Sequence, residues 1–231
     1  MILIKILQMN TGYTIVSIEG NIGSGKSTLL TNLRETLKDR TNIVFLKEPV
    51  DEWEKITDEN GVTMLEKFYS NQKDYSFPFQ MMAYISRLAL LKEAVKNNPN
   101  AIIITERSLF TDKMVFAKML YESNNIEMIN YKIYLKWFDT FAAEFPVNKV
   151  IYVKAMPETC HNRIIKRSRT GESNIPLDYL TNCDKYHNEM LDRNCSTCVC
   201  DNQLVIDGNV DIYENKSKLQ EWINNVKTFI D

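Results

Sequence analysis

An α/β fold in three layers, a five-stranded parallel sheet with helices on both faces, is predicted from two observations. Five short apolar runs rich in β-branched residues alternate with longer stretches whose apolar residues recur at helical spacing. Candidate functional residues, Gly20, Glu48, Glu106 and Asp207, fall just after the runs, where ligands gather at the carboxyl ends of parallel strands.

The elements follow in order. Tyr13 to Glu19 is the first strand, and Lys26 to Lys38 is a helix with Leu29, Leu30, Leu33 and Leu37 on one face. Ile43 to Lys47 is the second strand, stopped by Glu48-Pro49. Two helices are expected over Val62 to Tyr69 and Phe77 to Lys96, then a third strand over Ala101 to Thr105. Long helical patterns cover Leu109 to Glu122 and Met128 to Glu144, before a fourth strand, Val150 to Lys154. Pro157 and Pro176 open helices at favourable first-turn positions, running to about Lys166 and about Leu191. Gln203 to Ile206 is the fifth strand and Glu214 to Ile230 the closing helix.

The 231 residues are read as a single domain, 1–231. With 44% hydrophobic and 25% charged residues, disordered and low-complexity classes are excluded. Twenty-eight basic against 30 acidic residues argue against nucleic acid or a membrane surface as partner. No apolar run is long enough to span a bilayer. Met1 to Asn10 has neither the apolar core of a secretory signal nor transit-peptide character. The cysteine count is odd, five, which suggests reduced thiols, so a cytoplasmic location is expected. Cys195, Cys198 and Cys200 with His187 have some zinc-like spacing, but no second CxxC supplies the four ligands a structural zinc wants. A cysteine-rich surface turn is the preferred reading.

Gly20-Asn21-Ile22-Gly23-Ser24-Gly25-Lys26-Ser27 fits G-x-x-x-x-G-K-[ST] between a predicted strand and a predicted helix. Glycines let successive N–H groups turn toward phosphate oxygens, and the helix N-terminus adds partial positive charge. Lys26 is expected on the β/γ-phosphates and the Ser27 hydroxyl on Mg²⁺. A GTPase reading fails: Asp58-Glu59-Asn60-Gly61 precedes a helix instead of following a strand, and Asn148-Lys149-Val150-Ile151 lacks the base-reading aspartate.

Glu48, stiffened by Pro49, is a carboxylate near phosphates and so needs a purpose; accepting the proton of an attacking hydroxyl is the natural one. Glu106 is placed to hold Mg²⁺, and Arg107 to pair with phosphates. Arg163, Lys166, Arg167 and Arg169 form the one dense basic cluster, read as a lid over about 163–175. Gln80, Ala83 and Arg87 share a helical face, and the Gln80 amide suits a base edge. Trp53 and Phe79 are expected to sandwich a flat ring between them.

Together these pieces resemble the deoxyribonucleoside kinase family, in its deoxycytidine and deoxyguanosine kinase branch. The resemblance rests on Gly20 through Thr28, Glu48-Pro49-Val50 with Trp53, Tyr75 through Gln80, Glu106-Arg107-Ser108, Pro157 through Cys160, Arg163 through Arg169 and Ile175 through Leu180. It implies a phosphate-loop fold, an ATP-type donor (ATP or another NTP), Mg²⁺, and transfer of the γ-phosphoryl to a deoxyribose 5′-hydroxyl. By position, Glu48 is the base, Arg107 steadies the hydroxyl, and Tyr69 and Glu172 hold the 3′-hydroxyl. Trp53, Leu65, Phe68, Phe79 and Phe116 line the base slot, and Gln80 reads the base edge. Gly20 to Thr28 holds the donor phosphates, with Arg163, Arg167, Arg169 and the loop Asn209 to Ile212, including Asp211, around the donor. Ile212 stands where that branch carries an aromatic. Thymidine-preferring relatives carry uncharged residues at the positions of Arg87 and Asp112, so deoxycytidine, deoxyadenosine or deoxyguanosine is expected ahead of thymidine. A homodimer through two helices, Phe77 to Lys96 and Leu109 to Glu122, is also implied. Two rivals share the phosphate loop: a nucleoside monophosphate kinase of the thymidylate kinase type and a non-catalytic nucleotide-binding regulator. Glu48 would repel the first rival's acceptor phosphate, and the second has no need of a base.

Overall fold

In the computed structural model, which describes residues 12–142, 144–167 and 175–231, the sheet forms around β1 (Thr14–Glu19). Its neighbours are β3 (Ile102–Glu106) and β4 (Lys149–Lys154), and β2 (Ile43–Leu46) and β5 (Gln203–Asp207) are the edges. The order β2-β3-β1-β4-β5 is parallel throughout, as continuous apolar strands separated by helices require. The register sets Ile18 beside Glu106, so the turns after β1 and β3 open side by side.

Alternation along the strands divides the core. Val16, Ile18, Ile104, Ile151 and Val153 face α1 (Lys26–Thr36) and α10 (Lys216–Ile230), meeting Leu29, Leu33, Trp222 and Val226. Ile15 and Ile103 face the other way, toward α4 (Gln72–Asn97) and α7 (Met128–Phe141), where Tyr84, Leu91, Tyr134 and Phe138 are buried. The predicted three layers therefore stand.

Three local features differ from the sequence expectation. A single-turn helix, α2 (Val50–Trp53), follows β2; four residues carry no readable period. After α3 (Met64–Ser70), α4 begins at Gln72, not Phe77, because the Asn71 side chain accepts from the Asp74 N–H and starts the helix ahead of Pro78. The segment predicted as one helix over Leu109 to Glu122 is α5 (Leu109–Thr111), a π-helical stretch (Asp112–Ala117) and α6 (Lys118–Glu122). That segment is largely buried, with Leu109, Val115, Ala117, Met119 and Leu120 in the core. An exposed apolar stripe lies on α7. α8 (Pro157–Arg167) and α9 (Leu177–Leu191) complete the order; Pro176 caps α9 and does not enter it. No helix among the described residues is long and apolar enough to cross a membrane.

Candidate active site

The turn from β1 into α1 needs glycine on steric grounds. Gly20 has φ +143°, and a Cβ there would lie 2.4 Å from the Val153 carbonyl oxygen; at Gly23, φ +79°, it would lie 2.7 Å from that of Cys160. Asn21 pins the turn from below: its Nδ2 donates to the Leu180 carbonyl (2.8 Å) and its Oδ1 accepts from the Ile22 N–H (2.8 Å). The Lys26 ammonium donates to the Asn21 carbonyl at 2.6 Å. Burial, helped by the nearby Arg107 charge, lowers Lys26 to about 8.

After β3 the chain reverses through Arg107 at φ +63°, a left-handed conformation that costs a non-glycine residue about 1 kcal/mol or more. The Arg107 N–H donates to the Ile18 carbonyl (3.0 Å), and Ser108 caps α5. This twist sends consecutive side chains to different partners. The Ser27 hydroxyl donates to Glu106 Oε1 at 2.5 Å, while Glu106 Oε2 is buried without a partner. Arg107 Nη1 reaches both oxygens of Glu48, at 3.0 Å each.

A second arginine joins there. Arg87 donates from Nη2 to Glu48 (3.0 Å), from Nε to Asp112 (2.9 Å) and from Nη1 to the Glu106 carbonyl (2.6 Å). Burial alone would raise the Glu48 carboxyl, but Arg107, then Arg87 and Lys26, override it and hold it at about 2. Glu48 is thus a permanent carboxylate with a fixed orientation. Asp112 sits on the π-helical stretch, as does Phe116, and both line the same cavity; such wide turns recur at functional sites. Burial raises Asp112 to about 6, with Arg87 pulling the other way.

The predicted site residues converge on one cavity of about 440 Å³, a size suited to a small-molecule ligand. Most of the residues assigned to donor, metal or acceptor line it; Gly20, Asn21 and Asn209 do not, and Arg169 and Glu172 fall outside the described residues, as does most of the expected lid. One expectation is corrected. Trp53 and Phe79 do not flank a slot: their rings touch edge-on, centroids 5.7 Å apart at 78°, and Phe79 stacks on Phe68 at 4.5 Å. The three make one wall, fixed by the Trp53 indole N–H donating to Ser86 (2.8 Å). His187 is fully buried in α9, its Nδ1–H on the Cys183 carbonyl (2.7 Å), so it is not offered to the cysteine turn. Burial lowers it to about 3 and it stays neutral.

Glu19 escaped the sequence reading. It ends β1, is 1% exposed, and accepts from the Ser17 and Thr111 hydroxyls at 2.5 Å each, tying β1 to the end of α5. The readable signal was a charge closing an apolar strand. Tyr213, which also lines the cavity, carried no signal in the sequence pattern, and Tyr179 entered only within the segment Ile175 through Leu180.

A phosphate loop, a paired carboxylate and a pocket beside it walled by aromatic side chains define a phosphotransferase with a small organic acceptor. A deoxynucleoside kinase family model matches residues 16–231. Human (Homo sapiens) deoxycytidine kinase is 33% identical over 237 residues, covering 93% of this chain and 90% of that protein. Deoxycytidine kinase 1 of Xenopus laevis is 31% identical over 242 residues, and the mitochondrial deoxyguanosine kinase of Xenopus laevis 29% over 238; each alignment covers 93% of this chain and 89% of the relative. The chain belongs to the deoxynucleoside kinase family, and its activity is that of an ATP-dependent deoxyribonucleoside kinase.

Proposed function

We propose that the chain transfers the γ-phosphoryl of ATP, or of another NTP, to the 5′-hydroxyl of deoxycytidine, deoxyadenosine or deoxyguanosine ahead of thymidine, working as a single cytoplasmic domain over 1–231. The observation that carries this reading is the Asp112–Arg87–Glu48 chain of ion pairs lining the pocket beside Gln80. Arg87 is locked on three partners and 8% exposed at its side chain, so it cannot withdraw from a bulkier base. Gln80 Oε1 is buried without a partner, which favours its use on a base edge. Phe116 faces the pocket with Arg107 5.2 Å from its ring, and supplies the base slot with a wall distinct from Phe79. Tyr69 is read as the 3′-hydroxyl contact.

The mechanism is positioning and charge stabilisation. Glu48 accepts a hydrogen bond from the 5′-hydroxyl and aims its oxygen; the proton passes to Glu48 as the new bond to the γ-phosphorus forms and the bond to the bridging oxygen breaks, releasing the nucleoside diphosphate. A low carboxyl pKa is no obstacle, because in a loose transition state the proton moves late. Arg107 holds Glu48, and Lys26 with the loop N–H groups faces the phosphates. Mg²⁺ fits the residues present: the Ser27 hydroxyl and Glu106 are hard oxygen donors in contact, and Glu106 has an unused buried oxygen. When bound, the ion neutralises charge on the donor phosphates.

The decisive experiment is a panel of four deoxynucleosides and dCMP with ATP and Mg²⁺. Deoxycytidine or a purine deoxynucleoside is expected to lead; thymidine in first place would refute the selectivity, and dCMP in first place the acceptor class.

Because Lys26 must carry its proton to bind triphosphate, kcat/KM for ATP should fall about tenfold per pH unit above roughly 8. At saturating ATP, kcat should fall at higher pH, since bound phosphate restores the charge. A pH–rate profile for kcat/KM flat to pH 10 would remove this role.

Ile129, Ile133, Trp137 and Phe141, at helical spacing on α7, and Ile85 on α4 leave apolar side chains exposed, and a second copy is read as their cover. Ile133→Glu with Trp137→Glu should halve the mass seen by sedimentation velocity; a monomeric parent protein at micromolar concentration would contradict the dimer.

A further inference from the structure

Three of the five cysteines crowd into the turn between α9 and β5, and none of them lines the catalytic cavity. Their surroundings differ. Cys195 is exposed, and Asp192 through Thr197 are exposed with it, so small molecules can reach its sulfur. Cys198 is half-buried. Cys200 is buried, its Sγ donating to the carbonyls of Asn148 (3.2 Å) and Asn202 (3.5 Å). Cys160 and Cys183 are buried elsewhere in the fold.

The turn is preformed. The Cys198 N–H donates to the Cys195 carbonyl at 3.0 Å, so the two cysteines are the first and last residues of a four-residue turn. Residues so placed have Cα atoms within about 7 Å, and a disulfide spans about 4.4 to 6.8 Å. The base of the turn is tied to the end of α9. The Val199 N–H donates to the Met190 carbonyl (3.1 Å), and Gln203 Nε2 to the carbonyls of Leu191 (2.9 Å) and Cys200 (2.7 Å). Cys195 Sγ lies 2.9 Å from Thr197 Oγ1, and Cys198 Sγ donates to the Cys200 carbonyl at 3.3 Å. Contact with Thr197 holds the Cys195 thiol below the usual thiol range, against the Asp192 and Glu189 carboxylates, whereas burial pushes Cys198 up. The thiolate is the reactive form, so the exposed member of the pair attacks first.

We propose that Cys195 and Cys198 are a thiol–disulfide exchange site for a low-molecular-weight disulfide, Cys195 attacking and Cys198 resolving. The Cys195 thiolate attacks one sulfur of the small disulfide, whose S–S bond breaks; a mixed disulfide forms on Cys195 and one small thiolate leaves. Cys198 then gives its proton to solvent and attacks the Cys195 sulfur. The Cys195–Cys198 bond forms and the second small thiolate is expelled. The chain loses two electrons and two protons, and the small disulfide gains both as it becomes two thiols. A bond across one exposed turn stays open to reduction, so the turn responds to oxidising conditions and does not staple the fold.

The test is incubation of the folded full chain with oxidised glutathione at neutral pH, followed by intact mass measurement and peptide mapping. The parent chain is expected to lose two hydrogens, to carry no glutathione and to yield a Cys195–Cys198 cross-linked peptide; dithiothreitol should restore the starting mass. Cys198→Ser should stop at one glutathionyl group on Cys195, Cys195→Ser should stay unmodified, and Cys200→Ser should behave as the parent. An unmodified parent chain overturns the proposal. So does a parent that keeps the glutathionyl group, which removes Cys198 from the resolving role, or a bond from Cys195 to Cys200. Modification of Cys198 in Cys195→Ser at the parent's rate overturns it as well. Melting temperatures of the reduced variants separate these results from misfolding.

Discussion

Glu48→Gln is expected to lower kcat by about 10²- to 10⁴-fold while deoxynucleoside binding changes little. The substitution keeps the shape and one acceptor oxygen but removes the charge that takes the proton. It also leaves two buried arginines facing a neutral amide, and unpaired buried charge is costly. Arg87 retains Asp112 and the Glu106 carbonyl, and Arg107 retains the face of Phe116, so the fold should persist with a lowered melting temperature. Deoxynucleoside affinity by calorimetry, measured beside kcat, separates chemistry from misfolding. A kcat loss below about tenfold would remove Glu48 from its role. The pH profile offers an independent check. A carboxyl held at about 2 is ionised throughout the working range, so kcat/KM should show no acid limb near pH 4 to 5 from this group.

The parts of the site that the chain makes locally were legible in the sequence. The phosphate loop is contiguous, and Glu48 and Glu106 each sit at a strand end marked by a break in apolarity. What was not legible depends on side chains meeting across elements. The family resemblance pairs Arg87 with Asp112, and the two do meet, but nothing in its own helix says that Arg87 would also grip Glu48, plus the carbonyl after which Arg107 reverses the chain. The aromatic sandwich failed for a similar reason. Helical spacing identifies which rings share a region but not the angle at which they meet, and Trp53 met Phe79 edge-on. The π-helical stretch was invisible because a wide turn leaves no mark on a period read at 3.6 residues. Its effect is local and large, since it carries both Asp112 and Phe116 into the pocket.

Arg87→Met with Asp112→Ala is expected to raise kcat/KM for thymidine relative to deoxycytidine by roughly 10- to 200-fold, the range that one methylene-sized group commands in a closed pocket. Changing both residues matters. Arg87→Met alone leaves Asp112 buried without its cation, and a carboxyl that burial already lifts to about 6 would take up a proton. Asp112→Ala alone leaves Arg87 on Glu48, free to swing its fork toward the base. The double change removes charge from both sides and opens the space where the thymine methyl must go. The structure adds a consequence: Arg87 also holds Glu48, so the double variant should lose kcat on every substrate even as the ratio moves. A ratio that stays fixed would reject Arg87 as the barrier to thymidine. A ratio that moves with kcat intact would place selectivity in Arg87 but leave Arg107 alone to orient the base, which its contact with both Glu48 oxygens makes it geometrically able to do.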